Sequence, residues 1–459
     1  MKLVLFLFLL LVFAFKVEAA TVIVPDSYST IQQAVNAASD GDTIVIRDGV
    51  YIENIKINKS IIIKSENGPS NCIVEALDTN KSVFNILADG VRLEGFTIKN
   101  TNCSVCAGVL LNNSSNSAIA NCIITNSSMG VCLIRSSNIS VRQVSATNDI
   151  WGFVLWMSNS SKIVRNVAMN NAKGAILLYR SHSNTILTND VYNNSLGGIG
   201  IFECSNNIVS GNEIKNCGSG IYFHNSVKSA ASNNILSKND LGIKIENCNK
   251  LLISGNIVTG NTGMSEEVGK GIFCINSSDI VMVNNKIGFN RQGIHCTSSL
   301  SLIIANNLIE NNDNQGISLG NTMFSLISGN YIKNNGWDGI VIHSSSNNNE
   351  IKNNVIYNNG IKMGGGMGIE NSSSNLIYNN IFNNSNNFWL INTSNTWNVK
   401  KTYWRNIVGG KYIGGNVWLT PDGSGYSQTC RDYNNDGVCD VPMILKNGNV
   451  DFLPLAINP

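Results

Sequence analysis

A repeat of about 22 residues runs through most of this 459-residue chain and limits the folds that it can adopt. Residues 184–205 read NTILTNDVYNNSLGGIGIFECS, and residues 206–227, NNIVSGNEIKNCGSGIYFHNSV, rewrite the same pattern. An element that begins with Asn recurs in steps that are mostly 21 to 24 residues long, and Gln143 once replaces the Asn. The recurring residues are Asn121, Asn166, Asn189, Asn212, Asn233, Asn256, Asn285, Asn307, Asn330, Asn354 and Asn380.

Each unit also carries a Gly that opens a short alternating run, such as Gly220 to His224 in GIYFH. Alternation predicts a strand with one buried face, and the Asn, Gly and Ser residues between the runs favour tight turns. No unit has room for a helix, and a coil of this length cannot bury its apolar face alone, so the units must stack. The opening residues are Gly130, Gly152, Gly174, Gly198, Gly220, Gly242, Gly271, Gly293, Gly316, Gly339 and Gly368.

These features predict an all-β fold, a single-stranded parallel β-helix in which each coil lies about 4.8 Å above the last. A β-propeller is the alternative, but it needs four longer strands in each blade of about 40 residues. Residues one and three positions after the Gly are apolar and should face inward, where each contributes about 1.5–3 kcal/mol. They are Val131, Leu133, Phe153, Leu155, Ile221, Phe223, Ile245, Ile340 and Ile342.

Residues two and four positions after the Gly should face outward, and stacking would place them in a ribbon along the solenoid. Aromatic faces with interspersed hydrogen-bond donors suit sugar rings, and a long groove suits a polymer, which makes carbohydrate the first candidate ligand. The alternative is a surface stripe covered by loops or by a partner. The candidate ligand-binding residues are Trp156, Phe202, Tyr222, His224, Lys244, Glu246, Phe273, His295 and His343.

Catalysis has less support in the sequence. Glycoside hydrolysis needs two carboxyl groups about 5–9.5 Å apart, and Glu246 is the one acid that the repeat register places on the ribbon. Two insertions, at 260–270 with Glu266 and Glu267 and at 361–367, leave the coil at one corner, and such grouping often marks a working face. We therefore expect no catalytic residues, and a polysaccharide lyase or glycoside hydrolase remains the alternative.

A loop near the C-terminus has the oxygen spacing of an EF-hand calcium loop, with Gly437 at the sixth position. Its twelfth position is Met443 rather than Glu, so Asp451 or water would have to complete the shell. The spacing predicts a structural calcium ion, and a solvated turn is the alternative. The predicted ligands are Asp432, Asn434, Asp436, the carbonyl of Val438, and Asp440.

Twelve cysteines in an exported chain indicate disulfides. Cys430 and Cys439 are expected to pair across the predicted calcium loop, and the pairs Cys103/Cys106 and Cys122/Cys132 are also close in sequence. Metal ligation is a weaker reading of the Cys103-x-x-Cys106 motif. Cys274 and Cys296 fall at inward positions on adjacent coils, where they would be either bridged or stacked.

The first residues read MKLVLFLFLLLVFAFKVEAA, which predicts a signal peptide at 1–19, and no later stretch is apolar and long enough to span a membrane. We therefore expect a secreted or cell-surface protein without an integral membrane segment after the leader is removed. The net charge is +2, with 14% charged residues and no basic stripe, so nucleic acid is not an expected partner. Several Asn-x-Ser/Thr sites would allow surface glycosylation.

The segment from Thr30 to Ser65, TIQQAVNAASDGDTIVIRDGVYIENIKINKSIIIKS, resembles the N-terminal cap of the right-handed β-helix superfamily of pectin lyases and pectin esterases. The stretch NTWNVKKTYWRNIVGGKYIGGNVW, with a following Asp-rich loop and VDFLPL, resembles the end of archaeal NosD-type β-helix proteins. The resemblance covers nearly the whole chain and implies a right-handed coil. The family name implies copper supply. The four histidines are His182, His224, His295 and His343, and the two that share a register, His224 and His343, lie about five coils or about 24 Å apart and cannot share one ion, so copper is not expected.

Together these observations predict an N-terminal cap at 20–60, β-helix repeats at 61–396 and a C-terminal cap at 397–459. Ser29 to Gln32 is expected to be a capping box for a short cap helix, and Trp397, Trp404 and Trp418 are expected to seal the last coil. The leading hypothesis is an exported surface scaffold that binds carbohydrate or another surface polymer without catalysis. Besides the enzyme, a periplasmic copper-handling factor of NosD type is an alternative.

Overall fold

The computed structural model describes residues 19–263 and 268–457. It is a right-handed parallel β-solenoid of about 16 turns, as the repeat and the resemblance predict. The predicted leader, apart from its last residue, and the acidic pair Glu266 and Glu267 lie outside the described residues.

Three long parallel sheets form the walls of the solenoid, and each coil between the two ends contributes one short strand to each sheet. Sheet A has 16 strands: Thr21–Val24, Thr43–Ile46, Ile62–Ser65, Arg92–Glu94, Ala118–Ala120, Ser140–Arg142, Lys162–Val164, Thr185–Leu187, Ile208–Ser210, Ala230–Ser232, Leu252–Ser254, Val281–Val283, Ile303–Ala305, Leu326–Ser328, Glu350–Lys352 and Leu376–Tyr378. Sheet B has 16 strands: Gly49–Ile52, Cys72–Glu75, Thr97–Lys99, Ile123–Thr125, Ser145–Thr147, Val167–Met169, Asp190–Tyr192, Glu213–Lys215, Ile235–Ser237, Ile257–Thr259, Lys286–Gly288, Leu308–Glu310, Tyr331–Lys333, Val355–Tyr357, Ile381–Asn383 and Val417–Leu419.

Most strands of sheet C begin at or next to the repeat Gly position, and the outer face of the sheet carries the predicted ribbon. Its 15 strands are Ile55–Ile57, Phe84–Ile86, Val109–Asn112, Met129–Ile134, Trp151–Trp156, Gly174–Tyr179, Gly197–Phe202, Ser219–His224, Leu241–Glu246, Lys270–Ile275, Gln292–Thr297, Ile317–Gly320, Ile340–His343, Met367–Glu370 and Phe388–Ile391. Two small antiparallel pairs lie in the C-terminal region, Thr402–Tyr403 with Tyr412–Ile413 and Met443–Ile444 with Val450–Asp451.

The inward residues of sheet C form one continuous interior, as the register predicts. Ile199 is the Cα partner of Ile221, and Phe223 is the partner of Ile245 on the next coil. All four side chains are buried in the same apolar cluster, which extends along the solenoid. Repetition of this burial on every coil stabilises a fold in which each unit contacts only its neighbours.

In two coils, the Gly predicted from the sequence is not the residue that occupies the repeat Gly position. Gly152 aligns with Ala175 rather than Gly174, because Phe153 pairs with Ile176. The last assignment is also wrong, since the position of Gly339 is filled by Gly366 and not by Gly368. Counting from the wrong residue exchanges the inward and outward faces of the 174–179 strand.

Buried Asn side chains form a hydrogen-bonded ladder between coils at one corner of the solenoid. The Nδ2 group of Asn189 donates to Oδ1 of Asn212 at 2.9 Å and to the Ile163 carbonyl at 2.9 Å, and the pattern repeats along the chain. The ladder residues are Asn166, Asn189, Asn212, Asn234, Asn256, Asn285, Asn307, Asn330, Asn354, Asn380 and Asn416.

Three predicted members lie one position outside this ladder. Asn121, Gln143 and Asn233 have positive φ angles of 48°, 54° and 55° and occupy the outer turn. Cys122 stands in the ladder position beside the first of them, and Asn234 beside the last. Two consecutive corner positions both favour Asn, one for its amide and one for its tolerance of left-handed backbone, so the sequence alone does not separate them.

A short helix, Ile31–Ala37, covers the first coil and buries Ile31, Ala34 and Val35. The predicted capping box at Ser29 to Gln32 is wrong: Thr30 is the N-cap and its Oγ1 accepts from the backbone N–H of Gln33 at 3.2 Å, while the Gln33 side chain accepts from the Ser29 hydroxyl at 2.9 Å. The helix shields the open apolar end of the solenoid from strand addition.

The other end is closed around a buried carboxylate. Asp451 accepts from the backbone N–H of Asn416 at 2.8 Å and from Trp418 Nε1 at 2.9 Å, which ends the Asn ladder. Trp418 stacks on Phe382 with ring centroids 4.7 Å apart, and Trp397 is also fully buried. Trp404 is 71% exposed, so the prediction that it seals the last coil is wrong.

The structure contains two disulfides among the described cysteines, Cys103–Cys106 and Cys430–Cys439. The Cys122/Cys132 alternative is wrong, because Cys122 lies in the interior and Cys132 on the outer side of the wall. Cys274 and Cys296 face inward on adjacent coils as unbonded thiols. Of the two predicted alternatives, a bridge or stacking, stacking is therefore correct. Burial raises the pKa of the Cys122 thiol to about 11, so this thiol packs as a small apolar group.

Candidate functional site

The outer face of sheet C presents two parallel rows of side chains. One row, two positions after the repeat Gly position, includes Tyr222, Lys244, Phe273 and His295 on consecutive coils. The other row, two positions further along each strand, contains Trp156, Tyr179, Phe202, His224, Glu246 and, four coils after Glu246, His343. We call these two rows the outward ribbon. All nine predicted ligand-binding residues lie on it.

The ribbon is aromatic and open between Trp156 and His224. The Trp156 ring, 46% exposed, lies 4.9 Å from the Tyr179 ring between centroids. Phe202 contacts Tyr222 at 5.1 Å and His224 at 5.9 Å, so aromatic rings continue over four coils. A depression of about 330 Å³ lies among the rings, where Gly200 contributes no side chain.

Next to these rings, three polar side chains converge on the carboxylate of Glu246. The Tyr222 hydroxyl donates to it, Lys244 Nζ lies 2.9 Å away, and His224 Nδ1 lies 3.6 Å away. Burial raises the pKa of Glu246, but the bonds from Tyr222 and Lys244 outweigh it and hold that pKa below its usual range. Burial and the bond to Glu246 raise the pKa of Tyr222. The cluster therefore holds an ionised acid beside a neutral phenol.

The ribbon is covered near the first insertion. Phe273 faces outward, as predicted, but it is only 8% exposed, and the Nζ of Lys270 lies 4.1 Å from its ring centroid. On the next coil His295 lies against the Phe273 ring at 5.3 Å. Burial lowers the pKa of His295 to about 4, with contributions from Lys270 and His343, so the imidazole is neutral at pH 7.

His343 lies beyond this covered section and contacts Ser318, whose Oγ is 3.3 Å from Nε2. Burial lowers the pKa of His343, and the nearby Glu370 opposes this effect. Glu370 occupies the same row one coil later, which corrects the statement that Glu246 is the one acid on the ribbon. The two acids are five coils apart, about 24 Å at the strand spacing, too far for joint hydrolysis of one bond.

Sequence reasoning missed Tyr179 and Glu203. Tyr179 was missed because positions in its strand were counted from Gly174. Counting from Ala175, the residue at the repeat Gly position, places Tyr179 on the ribbon. Glu203 lies in the turn after Phe202, accepts from the Tyr179 hydroxyl at 3.2 Å and pairs with Arg180 at 2.7 Å. A turn residue has no fixed place in the strand alternation, so its contact with the ribbon had no periodic signal.

The predicted calcium loop is a compact turn fastened by the Cys430–Cys439 disulfide. Asp432 accepts from the backbone N–H groups of Asp436 and Gly437, and Asp440 accepts from that of Tyr433. Asp436 is paired with Lys401. Asp451 does not complete the shell, because it is buried against Asn416 and Trp418. Asn434 Oδ1 accepts from the backbone N–H of Asp436 at 3.0 Å, so it too bonds within the turn.

Copper needs imidazole or sulfur ligands in one place. Within 19–263 and 268–457, no three or more His, Cys, Asp and Glu side chains gather closely enough to hold a metal ion. His224 is committed to Tyr222 and Glu246, and His182 Nδ1 lies 2.9 Å from the Ser205 hydroxyl. The described residues therefore do not fit a copper site.

In the part of the chain that the structure describes, no helix is long and apolar enough to cross a membrane.

The stacked coils and the two caps define a right-handed parallel β-helix protein, and the family comparisons agree. Residues 84–228 and 151–301 match the family model described as right handed beta helix region. Residues 258–423 match the model described as periplasmic copper-binding protein (NosD). The chain is thus a right-handed β-helix protein that is similar to NosD-type proteins over residues 258–423.

Individual relatives match more narrowly. A stretch of 74 residues is 39% identical to a cell surface glycoprotein of Methanothermus fervidus and covers 16% of this chain. The chain thus spans only 12% of the length of that relative. The A-module of the Azotobacter vinelandii mannuronan C-5 epimerase AlgE6 superposes with a TM-score of 0.51 at 16% identity, over 70% of this chain and 92% of that one. The pre-mature bacteriophage phi29 gene product 12 gives a TM-score of 0.50 at 11% identity, over 78% and 69%. At these identities the two structural likenesses concern the fold alone.

Proposed function

We propose that the protein is an exported cell-surface scaffold whose outward ribbon binds a carbohydrate polymer without altering it. The observation that carries the proposal is the open run of rings from Trp156 through Tyr179 and Phe202 to His224. Ring faces offer large, rigid contact area, and their repeat along the coil axis suits a ligand that itself repeats. Lys244 and Glu246 beside the rings supply polar groups for orientation.

The surface location rests on the sequence and on one relative. The predicted leader and the two disulfides are typical of an exported chain. The 74-residue likeness to a cell surface glycoprotein supports the same location.

The test is binding of the purified chain to a panel of neutral and acidic polysaccharides, measured by affinity electrophoresis and calorimetry. Each binding reaction is then assayed for new reducing ends and for unsaturated sugars. Saturable binding without either product supports the proposal. Absence of binding to every polymer, or binding that is unchanged when the rings are removed, contradicts it.

A second candidate function is a polysaccharide lyase that works on the same ribbon. The cluster of Tyr222, His224 and Lys244 around Glu246 favours it, because proton abstraction next to a carboxylate needs a base and a neutralising cation. A hydrolase has less support, since Glu246 and Glu370 are five coils apart. Unsaturated products that disappear in Tyr222→Phe and His224→Ala would establish the lyase and reject the passive scaffold.

We also propose that the loop 432–440 binds a structural calcium ion. The proposal is supported by the spacing of Asp432, Asn434, Asp436 and Asp440 and by the Gly at the sixth position. Binding would require the three Asp side chains, which are not gathered closely enough to hold an ion in this structure, to turn towards it, and Asp436 to exchange its partner Lys401 for the ion. The ion would tie the C-terminal region together rather than take part in chemistry.

A further inference from the structure

A cavity of about 640 Å³ lies on the outer side of sheet C, towards the N-terminal cap from the aromatic run. Cys132, Val154 and Leu177, on three consecutive coils, form its floor. Trp151 and Trp156 form part of its wall, and the loop 102–105 covers it from the N-terminal side. This volume lies within the roughly 300–1,000 Å³ that is typical of small-molecule sites.

The loop 102–105 is held firmly over the cavity. The Cys103–Cys106 disulfide closes it. Its start is anchored by a bond from Asn102 N–H to the Thr79 carbonyl at 2.7 Å. The Ser128 N–H also donates to Thr101 Oγ1 at 3.2 Å, which ties the loop to the next coil. The cavity is therefore preformed, which lowers the entropic cost of binding.

The lining of the cavity is apolar although it is open to solvent. Ile150 is 39% exposed, Trp156 46% and Val105 68%. Burial raises the pKa of the Cys132 thiol on the floor to about 12, so this thiol is neutral at pH 7. Grouped exposed apolar side chains in a concave surface usually mark a binding site.

Lys173 is the one charged residue among those that line the cavity, and the lining contains no carboxylate. Among the described residues, no ion pair to Lys173 is present within 4.0 Å. An exposed lysine at the edge of an apolar cavity favours a ligand with an apolar body and one negative charge.

We infer that this cavity binds an amphiphile with a single hydrocarbon chain and one carboxylate headgroup. The chain lies over Val154 and Leu177 between the two Trp side chains, and the carboxylate lies against Lys173. The cavity shares Trp156 with the aromatic run, but Val154, Lys173 and Leu177 do not belong to that run, so the inference is tested without reference to carbohydrate binding. A negative result for the amphiphile therefore does not contradict carbohydrate binding, and a negative result for carbohydrate does not contradict amphiphile binding.

The test compares decanoate with decanol, both below the concentration at which they aggregate, binding to the full chain. Fluorescence of Trp151 and Trp156 reports occupancy, and the shift in thermal midpoint gives an independent affinity. We expect saturable binding, at least fivefold tighter for decanoate than for decanol, with the preference reduced at high salt.

Two variants locate the site and one serves as a control. Lys173→Ala should remove the preference for decanoate and leave decanol binding unchanged. Leu177→Phe should weaken both ligands at least tenfold, and Val154→Phe repeats that test if the first does not fold. Lys162→Ala, an exposed lysine on sheet A, should change neither. No saturable binding, equal affinity for the two ligands, or indifference to Lys173→Ala would each overturn the inference.

Discussion

Asp149 is bonded to Asn171 on the next coil, but it cannot reproduce what Asn171 does. Its backbone N–H donates to Asn171 Oδ1 at 3.0 Å, whereas its own Oδ2 is buried without a hydrogen-bond partner among the described residues. Asn171 uses the equivalent atom, its Nδ2, to donate to the Ala146 carbonyl at 3.3 Å. Burial raises the pKa of Asp149 to about 8, so this acid is protonated and uncharged at neutral pH.

The first prediction concerns pH and stability. The folded pKa of Asp149 lies above its unfolded value near 4, so the contribution of Asp149 to stability is greatest below pH 4 and falls by up to about 1.4 kcal/mol per pH unit as the pH rises to about 8. Asp149→Asn should remove this component of the slope and raise the unfolding free energy at pH 8. Urea titrations at pH 5 and pH 8 measure both effects.

The reverse substitution, Asn312→Asp, serves as the matched control. Asn312 occupies the same row of buried turn residues as Asp149 and Asn171 and donates to Asn335 Oδ1 at 2.9 Å, so an acid there should create a similar pH slope. A variant pair that leaves the pH dependence of unfolding unchanged would show that Asp149 does not titrate in this range.

The second prediction concerns the closing carboxylate, Asp451. Asp451→Ala removes the acceptor for Asn416 N–H, Trp418 Nε1 and Leu453 N–H, all near the last coil. Each donor left unpaired costs about 1–3 kcal/mol, so we expect a loss of at least 3 kcal/mol in the unfolding free energy. Asp190→Ala, at an exposed position of sheet B, should cost less than 0.5 kcal/mol, about the usual limit for surface substitutions. Denaturant unfolding of both variants measures the two losses in unfolding free energy, and equal losses would contradict the prediction.

The third prediction concerns the aromatic run. Tyr222→Ala and Phe202→Ala should each weaken binding of the selected polysaccharide about tenfold, because each removes a ring from the open face. Tyr331→Ala removes a comparable ring, 40% exposed, from the outer face of sheet B and should have no effect. Calorimetry with the same polymer compares all three. Equal losses in the three variants would place binding elsewhere.

The fourth prediction concerns calcium. Calcium should raise the thermal midpoint of the protein, with about 2.7 kcal/mol of added stability at 100 times the dissociation constant. Asp432→Ala should abolish the rise, and Lys401→Met should increase calcium affinity by releasing Asp436. Differential scanning calorimetry with calcium, magnesium and a chelator provides the readout. A midpoint that is insensitive to calcium leaves the loop as an Asp-rich turn.

The repeat made the fold and most of the ribbon predictable, because side-chain alternation depends only on the position within a coil. Ile221 and Tyr222 could be assigned to opposite faces from one Gly. The method failed at Gly174, where Ala175 occupies the Gly position and the whole strand was read one residue out of register. It also failed for Trp404, because residues in the C-terminal cap follow no period.

Contacts between distant parts of the chain had no signal in the sequence. The role of Asp451 depends on a segment that returns to the last coil. The grouping of Tyr222 and Lys244 on Glu246 was accessible in part, because their coils are adjacent. The bonds among these three side chains could not be predicted, because they depend on the direction in which each side chain points.

The Asn ladder makes the length of the solenoid adjustable during evolution. Each amide bonds only to the coils directly before and after it, so a duplicated unit of about 22 residues brings its own complete set of partners. Gain or loss of such a unit moves the distal half of the molecule by one strand spacing and turns no side chain to the wrong face. Tandem duplication could thus lengthen or shorten the reach of the protein while its two ends stay the same.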